Sequence, residues 1–357
     1  MKHFVSVLAF TFIFSASLFS QITISGFVLD AKTNEPLEGV NVYLSETTKG
    51  SQTDKDGRFS FIMDRLDQFR LVASSIGYYS KNIKLDIQPG DKVNHTFELK
   101  EKEIVLDEIL VTASNSEWKS KYSDFKKFFI GNLVSQNDVY IQNPEFIRFE
   151  ESNSGQEINV IAEAPIKIIN HELGYNIEAE FIEVSFNPSN NSGTYKLYTR
   201  FSEMETSNDR ELKEWNNNRS SAYEGSQTHF FKSLIRNRTK REDFDIISKG
   251  AKIEPVNKSA VDKLALFYPR TWRTLSETYT LFELTYQPVV VGHKVKYNQF
   301  GNVTNKHVLS YISYGGEIPY ILVDSNGVLF DPTVIQFTGK WGLERISLML
   351  PSDYQYE

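Results

Sequence analysis

Three glutamates in the second half of the chain could do acid–base chemistry. Glu178 and Glu180 alternate with apolar residues, so on a strand they share one face, and Glu183 joins it if a bulge intervenes. Two carboxylates held about 5 to 10 Å apart can act as the acid and the base of glycoside hydrolysis. The same alternation is also typical of a solvated sheet face. We favour that interpretation, with a hydrolase as the alternative.

A second group, of aromatic and basic residues, could bind a ligand. Trp215, Arg219 and Tyr223 are spaced by four, which would place the guanidinium between two rings on one helix face, and His229 follows. Such a group suits a planar or sugar-like ligand or a protein partner. Trp215, Arg219, Tyr223 and His229 are therefore the candidate binding site. The asparagines at 216–218 weaken the helix that this geometry needs, and packing in the core is the favoured alternative.

Patterns for metal binding are weaker. His95 and Glu98 have the spacing of a zinc-binding pair, but on a strand their side chains point to opposite faces. Asp54 and Asp56 lack the repeated acidic spacing of a calcium loop and are better explained by a turn. No nucleophile elbow, P-loop or dinucleotide-binding glycine pattern occurs. We therefore predict no catalytic residue, no metal and no cofactor, and we lean toward a protein that is not an enzyme.

Composition narrows the choice of partners. The chain has 357 residues, a formal net charge of −7 and a pI of about 5.6, the wrong sign for binding a nucleic-acid backbone. It has no cysteine, so its stability depends on packing, to which 26 Phe and 18 Tyr contribute. One basic cluster could meet lipid phosphate, although a solvated helix end is the favoured interpretation. Its members are Lys232, Arg236, Arg238, Lys240 and Arg241.

The N-terminal residues have the pattern of an export signal. Lys2 and His3 precede an apolar run that ends in small residues, as in a secretory signal peptide. Residues 1–21 are therefore predicted to direct the protein out of the cytoplasm. No later apolar run is long enough for a membrane-spanning helix.

Strand-like patterns extend from residue 22 to about residue 100. Apolar residues alternate in short runs, as in Val40, Val42 and Leu44, and Gly or Asp residues separate the runs. Asp56-Gly57 lies between two runs, where the glycine can adopt the positive φ of a tight hairpin. These features predict a small β-sandwich.

Four ordered motifs in this segment resemble the carboxypeptidase-regulatory-like domain. They are GxVxD at 26–30, EPLxGVNV at 35–42, TDxDGxF at 53–59 and SxIGY at 74–78. The resemblance implies a prealbumin-like β-sandwich of the kind common in Bacteroidetes envelope proteins, without peptidase activity. LDEILVTAS at 106–114 is similar to the linker that follows this domain in TonB-dependent outer-membrane receptors. The residues that follow are too few for the plug and barrel of such a receptor. The alternative that this resemblance implies is an accessory protein to a TonB-dependent receptor.

From residue 116 the apolar period becomes helical. An aromatic stripe with helical spacing comprises Trp118, Tyr122, Phe125 and Phe129. It predicts a helix packed on the following sheet, with a helix on a membrane surface as the minor alternative. Strands then resume, and Gly315-Gly316 and Asn326-Gly327 predict turns of an antiparallel meander. A second helix is expected over 219–237. NPEFIRF at 143–149 is one of several motifs that resemble a Bacteroidetes region of no assigned activity.

The combined prediction is a mainly β protein. A prealbumin-like sandwich precedes a β-rich (α+β) C-terminal domain with a few amphipathic helices. The predicted divisions are 1–21 signal peptide, 22–101 sandwich, 102–116 linker and 117–357 C-terminal domain. We expect an exported, non-catalytic cell-envelope protein with a binding, assembly or scaffold role, in the periplasm or at the outer membrane. Its expected partner is an envelope protein or a glycan, with peripheral membrane contact as a further option and no nucleic acid.

Overall fold

The N-terminal part of the protein is a β-sandwich. A computed structural model describes residues 22–63, 68–86, 92–103, 115–135, 137–152, 155–248, 252–255, 280–285, 288–297, 303–315, 320–329 and 335–356. The first strands are β1 (Ile22–Asp30), β2 (Asn41–Leu44), β3 (Gly50–Gln52), β4 (Arg58–Met63), β5 (Gln68–Ser74), β6 (Tyr78–Tyr79), β7 (Lys81–Asp86) and β8 (Lys92–Glu101). They form two four-stranded sheets, ordered β4-β1-β8-β6 and β3-β2-β5-β7, around an apolar core.

The predicted turn before β4 is confirmed. One carboxylate oxygen of Asp54 accepts hydrogen bonds from the backbone N–H groups of Asp56 at 3.0 Å and Arg58 at 2.8 Å. Gly57 has φ +71°, a conformation that a residue with a Cβ rarely adopts. The acidic pair therefore shapes the backbone of this turn.

A six-stranded sheet follows the sandwich. After helix α1 (Ser116–Phe129) come β9 (Val139–Ile141), a 3₁₀ turn (Pro144–Phe146), β10 (Ile147–Glu151), β11 (Ile158–Ala162), β12 (Ile166–Asn170), β13 (Tyr175–Asn187) and β14 (Ser192–Glu203). The order is β10-β11-β13-β12-β9, and β14 pairs with β13 along its length. The register of β13 against β14 shifts between Phe181 and Glu183, which confirms the predicted bulge.

Helix α1 packs its aromatic stripe on this sheet, as predicted. Its N-cap residue Asn115 accepts hydrogen bonds from two backbone N–H groups of the first turn. Trp118, Phe125, Phe128 and Phe129 are buried, and the indole of Trp118 donates to the carbonyl of Ile147 at 2.7 Å. The helix thus contributes most of the aromatic core of the sheet rather than a membrane-facing surface.

The last part of the chain builds a third apolar core. It contains α2 (Asp209–Tyr223), α3 (Gln227–Ile235), β15 (Phe244–Ile246), β16 (Lys252–Pro255), β17 (Thr280–Thr285), β18 (Val289–Tyr297), β19 (Val303–Tyr314), β20 (Tyr320–Val323), β21 (Ile335–Gly339), α4 (Lys340–Leu343) and a 3₁₀ turn (Ile346–Leu348). The sheets are ordered β15-β18-β19-β21 and β16-β17-β20. Phe230 and Phe231 of α3 and Trp341 of α4 pack into this core.

Two predictions about this last part are wrong. The helix expected over 219–237 is two helices, because the chain turns at Gly225 with φ +67° and the Ser226 side chain caps α3. The expected meander fails between β19 and β20, since β19 pairs with β18 and β21 while β20 pairs with β17 in the other sheet. Its second turn, at Asn326-Gly327, is confirmed, because Val323 and Leu329 on either side form an antiparallel bridge. The strand patterns were therefore correct in kind, but they carry no information about which sheet a strand joins.

The mainly β fold class is confirmed, with sandwich and β-rich parts as expected. No helix within the described residues is long and apolar enough to cross a membrane. The predicted signal peptide at 1–21, the receptor-like segment at 106–114 and Gly316 all lie outside the described residues.

Candidate functional site

The turn between β2 and β3 joins the sandwich to the rest of the protein. We call residues 45–49 the docking loop. The N–H of Glu46 donates to the carbonyl of Thr199 at 2.7 Å, and the N–H of Phe201 donates to the carbonyl of Thr47 at 3.0 Å. The carbonyl of Glu46 accepts from the N–H of Ser352 at 2.6 Å. Since Glu46 has φ +64°, these contacts hold a non-glycine residue in the left-handed region, where strain often marks function.

The predicted acid pair lies in this same interface, which corrects the expected solvated face. Asn41 of β2 donates to the Glu178 carboxylate at 2.7 Å, and the hydroxyl of Ser74 donates to Glu180. Burial raises the pKa of Glu180. Glu183, beyond the bulge, is exposed and lies opposite Lys196 of β14. None of the three acids lines either of the two cavities described below, so the hydrolase alternative loses its proposed centre.

The candidate residues Trp215 and Arg219 do share a face of α2, but they anchor the loop before β13. The indole N–H of Trp215 donates to the carbonyl of His171 at 2.8 Å. Arg219 donates to the carbonyls of Leu173 at 2.7 Å and Gly174 at 3.2 Å. Gly174 has φ +67°, and a Cβ there would lie 2.3 Å from the Trp215 ring. The guanidinium of Arg219 therefore uses two of its donors on backbone carbonyls of this loop.

Arg219 stacks on a ring that the sequence pattern did not indicate. Its guanidinium lies 4.1 Å from the ring centroid of Tyr175, the first residue of β13. The predicted stacking between Trp215 and Tyr223 is therefore replaced by a contact with the sheet. One edge of the guanidinium faces a cavity of about 390 Å³, where Glu203 lies 3.4 Å from it.

The other two candidate residues, Tyr223 and His229, meet where α2 turns into α3. Their ring centroids are 4.7 Å apart. Nδ1 of His229 accepts from the N–H of Gly225 at 3.0 Å, so Nε2 carries the proton and faces Glu242 at 3.3 Å. Burial lowers the pKa of His229 to about 4, which keeps the ring neutral near pH 7. His229 thus fixes the turn, while Tyr223 extends to a larger cavity.

This larger cavity lies where the three parts of the protein meet. We call it the junction cavity; its volume is about 490 Å³. Its walls come from the docking loop, β14, the α2–α3 turn, the turn after β20 and the C-terminal segment. The lining residues that matter here are Ser45, Glu46, Thr199, Tyr223, Asp324 and Glu344. A cavity of this size is typical of small-molecule sites, which favour the boundaries between domains.

Two carboxyl groups in the junction cavity have strongly shifted acidity. Burial, together with the negative charge of Asp324, raises the pKa of Glu46 to about 7. Burial also raises the pKa of Glu344 to about 7, although Lys340 opposes the shift. Each carboxyl therefore exchanges between hydrogen-bond donor and acceptor near neutral pH, a property that is enriched at functional sites.

Three side-chain oxygens that line the same cavity are buried without a hydrogen-bond partner. They are Oγ of Ser45, Oγ1 of Thr199 and Oε1 of Glu344. Thr199 is only 1% exposed, and the nearest cation to Glu344 Oε1 is the Lys340 amine at 3.7 Å, beyond hydrogen-bond distance. Buried polar atoms normally have partners, so these three residues of the cavity lining are candidates for contact with a polar ligand or water.

The remaining candidate groups do not form sites among the residues that the structure describes. His95 is half-buried and edge-on to Phe97 with centroids 4.6 Å apart, whereas Glu98 is exposed. No group of three or more His, Cys, Asp or Glu side chains could hold a metal ion in the described ranges. Lys232, expected in a solvated basic cluster, is buried, and its amine donates to the carbonyl of Ser352 at 3.5 Å.

Sequence reasoning missed Glu46, Thr199 and Glu344. Glu46 sits in a polar turn, Thr199 alternates with apolar residues of a strand, and Glu344 follows Leu343 in a mixed segment. Their common property is burial at a junction of segments far apart in the chain, which no local period encodes. The excess of polar residues in the docking loop was the one available signal, and it equally fits a solvated turn.

Comparison with family models identifies the first part of the chain. The fold of two facing sheets is that of a β-sandwich domain. Residues 24–111 match the model of the CarboxypepD_reg-like domain, so the protein contains a carboxypeptidase-regulatory-like domain and the resemblance of its motifs is confirmed. No protein of curated function matches the chain.

The similar solved structures are distant. A 3-chlorocatechol 1,2-dioxygenase from Rhodococcus opacus 1CP is 12% identical over 23% of this chain and 61% of its own, with a TM-score of 0.19. A candidate membrane-associated protein of unknown function from Bacteroides fragilis is 14% identical, with a TM-score of 0.20; the match covers 53% of this chain and 84% of that protein. A candidate carbohydrate-binding protein from Bacteroides uniformis is 9% identical, with a TM-score of 0.19; the match covers 85% of this chain and 98% of that protein. These scores support no argument about function.

Proposed function

We propose that this protein is a non-catalytic binding protein of the cell envelope, with its ligand site in the junction cavity. The observation that carries the proposal is the set of three buried, unpartnered oxygens around one cavity of about 490 Å³. A purely structural junction would be expected to pair or exclude such groups, as the nearby contacts of Glu178 and Glu180 do.

The sandwich has a defined part in this function. Ser45 and Glu46 belong to the docking loop, and they line the cavity together with Glu344 and Asp324. Ligand binding therefore requires the sandwich to be docked on the β-rich part. This arrangement supports a role for the regulatory-like domain as one half of a binding site rather than as a separate adaptor.

The binding proposal is tested by filling the cavity. Ala222 lines the junction cavity from α2, and Ala222→Phe would occupy it, with Ala222→Val as the milder change. Ligand-observed NMR with a mixed library of small polar molecules should reveal binders of the unmodified protein that Ala222→Phe loses. Asn217→Phe, on the exposed side of the same helix, should keep them. Thermal melts verify folding, and binders unaffected by either Ala222 variant would contradict the proposal.

Export is tested separately. The predicted signal peptide at 1–21 fits a protein that works outside the cytoplasm. Fractionation of cells that express a C-terminally tagged chain should recover the protein, shortened by about the length of this segment, in the periplasm or the outer-membrane fraction. Recovery of the full-length chain in the cytoplasm would contradict this part of the proposal.

A further inference from the structure

Five cationic residues line the junction cavity, and three of them are held by aromatic rings; the other two are Lys84 and Lys196. Arg70, Lys232 and Arg345 all line it, and each lies over a ring, with distances to the centroid of 5.3, 5.6 and 5.0 Å. A ring face partly satisfies a cation and fixes its position. These three residues are therefore poorly placed to clamp an anionic ligand.

In the residues that line the cavity, the buried atoms without a hydrogen-bond partner are all oxygens, and they differ in what they offer. The Ser45 and Thr199 hydroxyls can donate or accept a hydrogen bond, whereas Glu344 Oε1 accepts when its carboxyl is ionised. Donors alone would satisfy all three oxygens, but a ligand whose groups both donate and accept can also use the two hydroxyls as donors. Hydroxyl groups have this property, whereas ammonium groups only donate and carboxylates only accept.

The cavity also offers flat apolar surfaces beside these oxygens. Four tyrosines line it, together with leucines and a methionine; they are Tyr195, Tyr198, Tyr223 and Tyr354, of which Tyr198 and Tyr223 already have a cation over the ring. A tyrosine ring presents an apolar face with a polar tip, which suits a ligand that has both C–H faces and hydroxyl edges. Pyranose rings combine these two features in one compact unit.

From these observations we propose that the junction cavity binds a neutral saccharide, whose hydroxyl groups hydrogen-bond to Ser45, Thr199 and Glu344 while a sugar face packs on the tyrosines. This inference rests on the proposed function and specifies the ligand class of the same site. The near-neutral acidity of Glu46 and Glu344 supports it, because a carboxyl that both donates and accepts adapts to hydroxyl partners.

The test is calorimetric titration of the full chain with four classes of probe. The saccharides are maltotriose, cellotriose, xylotriose and chitotriose, and the other classes are represented by spermidine, citrate and a short apolar alcohol. We expect saturable binding of at least one saccharide and none of the other probes in the cavity. Thr199→Val and Glu344→Gln should each weaken that binding by up to about tenfold, the usual effect of losing one hydrogen bond.

Matched controls separate a lost contact from a lost fold. Thr96→Val and Glu183→Gln make the same changes at exposed positions and should leave saccharide affinity unchanged. If no saccharide binds but spermidine or citrate does, with sensitivity to Thr199→Val, the saccharide assignment is wrong and the proposed binding function stands. If no probe of any class binds, both are wrong. Saccharide binding that is indifferent to Thr199→Val and Glu344→Gln also overturns the inference.

Discussion

Two groups of polar side chains meet at the junction, and they differ in whether their oxygens have hydrogen-bond partners. In the paired group, each carboxylate of β13 has a donor from the sandwich; its members are Asn41, Ser74, Glu178 and Glu180. In the open group, one side-chain oxygen each of Ser45, Thr199 and Glu344 has no hydrogen-bond partner, although the Lys340 amine lies 3.7 Å from that of Glu344. The paired group holds the two parts of the protein together, whereas the open group surrounds a cavity. The carboxylates of the paired group have their donors, although Nε of Arg200 beside them has no partner; we interpret the unpartnered oxygens of the cavity lining as a ligand site.

The largest expected effect comes from a group that resembles a binding site but is structural. Arg219→Met removes a buried cation that donates to the carbonyls of Leu173 and Gly174. Losing these contacts and leaving the carbonyls unpaired should cost about 4 kcal/mol of unfolding free energy. Urea denaturation measures the loss, with the exposed Arg210→Met as control. A loss no larger than that of Arg210→Met would show that Arg219 is not an anchor.

The open group should make the stability of the folded protein depend on pH. Because the pKa of Glu344 is raised to about 7 from an ordinary 4.5, the folded state keeps a proton that the unfolded state releases. Its contribution to stability is therefore present below pH 4.5 and is lost as pH rises through 7. Glu344→Gln should be more stable than the unmodified protein at pH 8, on the order of 2 kcal/mol, and similar at pH 4.5. Thermal melts across pH 4.5 to 8 measure this.

Two comparisons complete that experiment. Glu46 shifts in the same direction, so Glu344→Gln should reduce the slope without abolishing it. Glu183→Gln, at an exposed position, should leave the slope unchanged. A slope unaffected by Glu344→Gln would mean that this carboxyl is not held in a buried environment.

Breaking the paired group should have a smaller but definite cost. Asn41 donates to Glu178 and accepts from a guanidinium N–H of Arg200 at 2.5 Å. Asn41→Leu leaves both charged groups with fewer partners and should reduce the free energy of unfolding by about 1.5 kcal/mol. Asn94→Leu, on the exposed face of β8, is the matched control. Equal stability of the two variants in urea would mean that this contact does not hold the sandwich in place.

The smallest expected effect has the opposite sign. Thr199→Val keeps the shape of a 1% exposed side chain and removes a hydroxyl that has no partner. The variant should be more stable by about 0.5 kcal/mol, because the buried hydroxyl contributes nothing to folding. A comparison of melting temperatures with Thr96→Val is sufficient. Clear destabilisation would show that the hydroxyl has a structural partner, and the contrast between the two groups would fail.

The parts of the fold that local periodicity encodes could be predicted from the sequence. The alternation in β1 to β8, the hairpin at Gly57 and the aromatic stripe of α1 each depend on residues close together in the chain. The break between α2 and α3 was missed because the apolar pattern continues across Gly225. The exchange of β20 into a different sheet was missed because two-residue periodicity says nothing about pairing.

The candidate site could be predicted only in part. Tyr223 was identified from its helical spacing and does line the junction cavity, but Trp215 and Arg219 anchor a loop and His229 fixes a turn. Glu178 and Glu180 were correctly placed on one face, but no pattern in the strand shows that another domain covers it. A site at a junction between domains depends on tertiary contacts, and local sequence patterns do not encode contacts between distant segments.

The most direct measurement is a crystal structure of the protein grown with the tightest-binding trisaccharide. The central claim predicts density for the sugar in the junction cavity, with hydroxyl groups within hydrogen-bond distance of Ser45, Thr199 and Glu344. Density for the sugar at another surface, with only water in the junction cavity, would contradict it.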